Sequence, residues 1–161
     1  MASLYEWFLH YLKQKDLHFG HIKEVKHLKK DFFFVLKIRK GEESHEFGYV
    51  SQTQTGEIDL DSIIKYFHEE STNHQKLQLS YIALFNTDKN LKFLNENWDK
   101  LIEFKYLKFY FVNPGSEMKV WAISPFSHNF VGGSKKALKA FFDDLGEIKD
   151  SDLKKLEKEA L

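Results

Sequence analysis

Acid-x-lysine triplets recur along this sequence, at Glu24-Val25-Lys26, Glu103-Phe104-Lys105, Glu117-Met118-Lys119, Glu147-Ile148-Lys149 and Asp152-Leu153-Lys154. Residues i and i+2 of a strand share a face, so a triplet placed there sets a carboxylate beside an ammonium group. With a second carboxylate nearby, such a group offers the oxygen ligands that Mg²⁺ takes. Glu24 has Asp16 upstream, whereas Glu117 is preceded across its turn by Asn113, a weaker metal ligand. The chain has 24 acidic and 24 basic residues, and Arg39 is the only arginine. Composition alone then generates roughly three such triplets, so the pattern names a chemistry without choosing a site.

A second chemistry is anion binding. Gly132-Gly133-Ser134-Lys135-Lys136 opens a helical pattern, where free N–H groups, the helix dipole and two lysines would favour a phosphate. The phosphate-loop spacing Gly-x-x-x-x-Gly-Lys-Ser/Thr is absent, and an ordinary turn capped by Ser134 is the plainer reading. His128 lies just upstream in a polar stretch that could converge with the loop. A basic run carries Lys23, Lys26, Lys29, Lys30, Lys37, Arg39 and Lys40 against Glu24 and Asp31, net +5. The following segment, Glu42 to Glu70, sets eight acids against Lys65, net −7. Such a dipole could orient a partner or pair two copies, or its halves could neutralise each other across a hairpin. The aromatic runs Phe32-Phe33-Phe34 and Phe109-Tyr110-Phe111 could stack bases on an open sheet, although aromatics in strands usually form core. His18, His21, His27, His45, His68 and His74 have no zinc-signature spacing, and no metal or cofactor is expected.

Elements that could position these groups follow from periodicity. Ser3 with Glu6 forms a capping box before Leu4, Trp7, Phe8, Tyr11 and Leu12, predicting a helix to about Asp16. Strands are expected over His21–Leu28, Asp31–Lys40, Glu46–Thr53, Leu77–Phe85, Leu107–Val112 and Met118–Ser124. Asp59 or Asp61 would cap a helix bearing Leu60, Ile63, Ile64 and Phe67. Thr87 or Asp88 would cap one bearing Leu91, Leu94, Trp98, Leu101 and Ile102. Asn113-Pro114-Gly115-Ser116 reads as a type II turn, and the stretch after Pro125 as irregular. Leu138, Phe141, Phe142 and Leu145 mark a further helix stopped by Gly146. The fold class is therefore α+β (mixed α/β): a single domain over 1–150 with a mixed sheet of about six strands flanked by helices. Its order is α-β-β-β-α-β-α-β-β-α, with 151–161 as a charged tail or short helix.

The opening α-β-β-β-α-β order resembles the core of restriction-endonuclease-like nucleases. That resemblance covers about the first half of the chain and implies a metal-dependent nuclease with a carboxylate near one strand end and Glu/Asp-x-Lys on the next. At the third strand this sequence reads Glu46-Phe47-Gly48, without the lysine.

Composition bounds the rest. Sixteen Phe, seven Tyr and three Trp supply a large core, and the absence of cysteine excludes disulfides and thiolate chemistry. Zero net charge and a single arginine are unlike a dedicated nucleic-acid reader. No leader or membrane-length apolar run is visible, so a soluble cytoplasmic protein is expected. The reading is a non-enzymatic binding module that contacts nucleic acid or a phosphorylated, anionic ligand through lysines. The residues that would carry it are Lys23, Lys26, Lys29, Lys30, Lys37, Arg39, His128, Gly132, Gly133, Ser134, Lys135 and Lys136. The metal-dependent nuclease and a protein-interaction or homo-oligomerisation domain are the alternatives.

Overall fold

The computed structural model describes residues 3–51, 58–72, 78–128 and 134–149. Its elements run α1 (Leu4–Asp16), β1 (Ile22–His27), β2 (Phe32–Arg39), β3 (Glu42–Val50), α2 (Leu60–Thr72) and β4 (Gln78–Phe85). Then come α3 (Asp88–Glu96), α4 (Trp98–Leu101), β5 (Leu107–Val112), β6 (Val120–Ile123), α5 (Pro125–His128) and α6 (Ser134–Leu145). The strands form one six-stranded sheet in the order β1-β2-β3-β4-β5-β6. β1, β2 and β3 make an antiparallel meander, β4 and β5 add in parallel, and β6 returns antiparallel. This is the mixed α+β domain expected. The possible helix over 151–161 lies outside the described residues.

Local chemistry sets the boundaries. Ser3 and Thr87 cap α1 and α3 by accepting from Glu6 N and Asn90 N, and Asp59 accepts from Ser62 N ahead of α2. β3 begins four residues before its expected start. Lys40 and Gly41 both take positive φ (51° and 81°), which makes a two-residue turn and lets Glu42 pair with Arg39 at once. The single helix expected after Thr87 or Asp88, with its stripe from Leu91 to Ile102, is broken at Asn97, whose Nδ2 donates back to Phe93 O. Gly115 does not enter the left-handed region that a type II turn requires. The turn closes through Ser116 N to Asn113 O, Lys119 takes φ 63°, and β6 is correspondingly short. The stretch expected to be irregular after Pro125 opens with a helical turn, Pro125–His128, and continues outside the described residues.

Alternation along the strands divides the apolar residues between two cores. On one face, Phe32, Phe47, Ile82, Leu84, Phe109, Phe111 and Trp121 pack against Leu60, Ile63, Phe67, Leu91, Leu94, Trp98, Leu101, Leu138, Phe142 and Leu145. On the other, Phe33, Val35, Val50, Tyr81, Ala83, Tyr110 and Val112 meet Leu4, Tyr5 and Phe8 of α1. The two aromatic runs are thus core, split between both layers. Asn86, fully buried, ties α6 to the sheet: Nδ2 donates to Phe142 O and Gly146 O, and Oδ1 accepts from Trp121 Nε1.

Candidate anion-binding cleft

Among the described residues, one helix of 13 residues covers the second sheet face. Beyond the C-terminal end of α1, the register aligns the open side chains: Lys37 opposite Ser44, Arg39 opposite Glu42, Glu46 beside Leu79, and Tyr81 beside Lys108. With Leu12, Lys15, Asp16 and Phe19 they enclose a cleft of about 620 Å³, within the usual range for a small-molecule site.

Glu46 lies on its floor, 2% exposed. Lys37 Nζ is 2.9 Å from its Oε1, and the Tyr81 hydroxyl donates to the same oxygen. A carboxylate can be buried only with charge-assisted partners of this kind. Burial first, and then the Glu46 charge, pushes the phenols of Tyr81 and Tyr110 well above their ordinary range, so both remain neutral hydroxyls. The Asp16 carboxylate accepts from His21 N (3.1 Å) and Ile22 N (2.8 Å), which anchors the turn out of α1.

Lys108 is the unbalanced group. It is half-buried, its Nζ 5.1 Å from the Tyr110 ring centroid. Burial lowers its pKa, the Lys15 and Lys37 charges lower it further, and Glu46 opposes them. Lys15 lies over the Tyr11 ring, and neither Lys15, Arg39 nor Lys108 forms a salt bridge with a described residue. Charged Lys108 is therefore disfavoured by folding. Stability rises with pH as Lys108 loses its proton in the window below its ordinary 10.5. Lys108→Met should raise Tm at pH 7 by about 1–3 °C and flatten that alkaline rise. Calorimetric scans showing an equal or lower Tm would remove the penalty inferred here.

Those of the residues singled out from sequence that are described do not gather in one place. Lys37 and Arg39 line the cleft. Lys26 pairs with Phe34, which puts it on the opposite sheet face, and Lys29 and Lys30 sit in the β1–β2 turn. Lys23 Nζ donates to Gly20 O, and Lys29 lies over the Tyr66 ring. The basic and acidic runs meet across the β2–β3 hairpin, where Lys37 pairs with Glu46 and Arg39 faces Glu42. His128 Nδ1 contacts Ser124 N and O, a local tie within its own turn. Gly132 and Gly133 lie outside the described residues, as do the side chains of Ser134, Lys135 and Lys136.

The nuclease resemblance meets specific geometry. Glu24 is exposed on the edge strand, Asp16 is committed to backbone, and Glu117 and Lys119 are exposed in the β5–β6 turn. Asn113 Nδ2 donates to Leu145 O and Gly146 O, closing the end of α6. At Gly48, where the lysine is missing, an added Cβ would come within 2.1 Å of Phe33 Cζ. Among the described residues no three His, Asp or Glu side chains gather as a metal site. Histidines serve locally instead: His27 Nδ1 is 2.7 Å from the Tyr5 hydroxyl, and His45 lies 3.6 Å from Glu43.

Lys15, Lys108, Tyr81 and Phe19 were missed in the sequence. Lys108 carried one signal: it precedes the apolar run Phe109–Val112 at the start of a central strand. No helix among the described residues is long and apolar enough to cross a membrane. The chain matches no family model, no curated protein and no solved structure. Fold and site together define its class as a mixed α+β domain with a charged cleft on one sheet face, where Lys15, Lys37, Arg39 and Lys108 share the wall with four carboxylates.

Proposed function

We propose that this chain is a binding module for a small anionic ligand held in the cleft beside α1. One observation carries the reading: Lys108 is half-buried beside Lys15 and Lys37, while the adjacent carboxylate, Glu46, is already engaged by Lys37 and Tyr81. An incoming anion would relieve the repulsion among the lysines and accept charge-assisted hydrogen bonds from a partly dehydrated site. Binding is favoured over metal-assisted hydrolysis because Glu46 is taken and position 48 is filled by the Phe33 ring.

Pyrophosphate at low ionic strength should bind saturably by calorimetry and raise Tm beyond a chloride control at matched ionic strength. Lys108→Met should weaken that binding about tenfold, the loss of one charge-assisted hydrogen bond, although the variant itself is more stable. Pyrophosphate that binds no better than chloride, or binds equally to wild type and Lys108→Met, would end the reading.

A further inference from the structure

We propose that the ligand is a mononucleotide whose phosphates sit against Lys15, Lys108 and Arg39 while its base stacks on Phe19. This rests on the anion-binding reading and names the ligand's class.

The cleft offers two unlike recognition surfaces. One is Lys15, Lys108 and Arg39, which form no salt bridge with a described residue; of the carboxylates in the same wall, Asp16 is taken by backbone N–H groups, Glu46 by Lys37 and Tyr81, and Glu43 lies by His45, while Glu42 faces Arg39 across the ladder. The other is Phe19, 70% exposed at the lip and backed by the His21 ring at 5.5 Å and 23°. An isolated exposed aromatic is unremarkable on a protein surface, but this one lines the same cavity as the lysines. It is also held in place. Phe19 N and Gly20 N donate to Asp16 O, the Asp16 carboxylate takes His21 N and Ile22 N, and Gly20 turns the chain at φ 61°. With the backbone fixed by those bonds, only the two side-chain torsions of Phe19 remain to be ordered when a flat partner stacks on the ring.

A phosphate alone would use the cations and leave Phe19 idle. A planar heterocycle alone would leave the lysines repelling one another. A nucleotide satisfies both from within one cavity of about 620 Å³. A polynucleotide fits less well, because a strand needs basic groups in a continuous track. Here Lys26 lies on the opposite sheet face and Lys29 and Lys30 in the β1–β2 turn.

The test compares ADP, GDP, CDP and UDP with pyrophosphate and with a single-stranded oligonucleotide, on wild type and Phe19→Ala. At least one diphosphate should bind about five- to tenfold tighter than pyrophosphate, the low end for one base–aromatic stack. Phe19→Ala should abolish that difference while leaving pyrophosphate affinity and Tm unchanged. If all four nucleotides match pyrophosphate, or Phe19→Ala leaves their advantage intact, the nucleotide assignment fails and the anion reading stands. If neither pyrophosphate nor any nucleotide binds, both fall. Tighter binding of the oligonucleotide, weakened by Lys29→Glu with Lys30→Glu, would overturn the assignment in favour of a strand.

Discussion

Replacing Lys37 by Met should lower stability by about 3 kcal/mol, because it strands the Glu46 carboxylate without its counter-ion. The estimate sits at the low end of the range for a broken buried pair. The Tyr81 hydroxyl still donates to the Glu46 carboxylate in the variant, and the place of Lys37, whose side chain is 18% exposed, opens to the cleft. For a chain of this size the loss corresponds to about 6–12 °C in Tm. Glu46→Gln should cost less, since an orphaned Lys37 can turn its ammonium toward the cleft. Combining Lys37→Met with Glu46→Leu should recover most of the loss, as exchange of a buried pair for apolar groups often does. Chemical denaturation of wild type, Lys37→Met, Glu46→Leu and the double variant closes the cycle. Additive losses would mean that Lys37 and Glu46 are held by their separate surroundings and not by each other.

This pair also shows where sequence reading runs out. The strands, the β2–β3 hairpin and the apolar helix faces were legible because each rests on local sequence pattern, as in Phe32, Phe34, Leu36 and Ile38 against Phe33 and Val35. Lys37 was counted in a basic run and Glu46 in an acidic one, and Glu46 was also noted as the start of a triplet lacking its lysine. That the lysine beside Glu46 comes from the neighbouring strand depends on register. The two-residue turn at Lys40-Gly41 fixes that register, and beginning β3 at Glu46 concealed it. Lys108 was invisible for a different reason. Its significance comes from Lys15, more than ninety positions away, on the only helix that covers its face among the described residues.

Gly48→Ala should destabilise the fold by about 3 kcal/mol, near the upper end for overpacking a core, although it adds a single methyl group. Phe33 and Gly48 face each other across the β2–β3 ladder, and the Phe33 ring lies over the bare glycine. An alanine Cβ would meet Phe33 Cζ at 2.1 Å and Cε1 at 2.2 Å, so something must move. The ring has little room to do so. Phe33 is 0% exposed, with Tyr5 edge-on and Phe8 tilted against it, both at 6.1 Å between centroids. Those two residues seat α1 on the sheet, so relief at position 48 would disturb the helix that walls the cleft. Phe33→Leu should cost less in a Gly48→Ala background than in wild type, because the smaller side chain vacates the space the methyl needs. Equal costs in both backgrounds, measured by urea denaturation with m unchanged, would refute the steric account. The same contact bears on chemistry. A lysine at position 48, which the nuclease resemblance requires, cannot share this space with Phe33, so the aromatic seat of α1 and the triplet Glu-x-Lys on β3 are alternatives. This chain has the first.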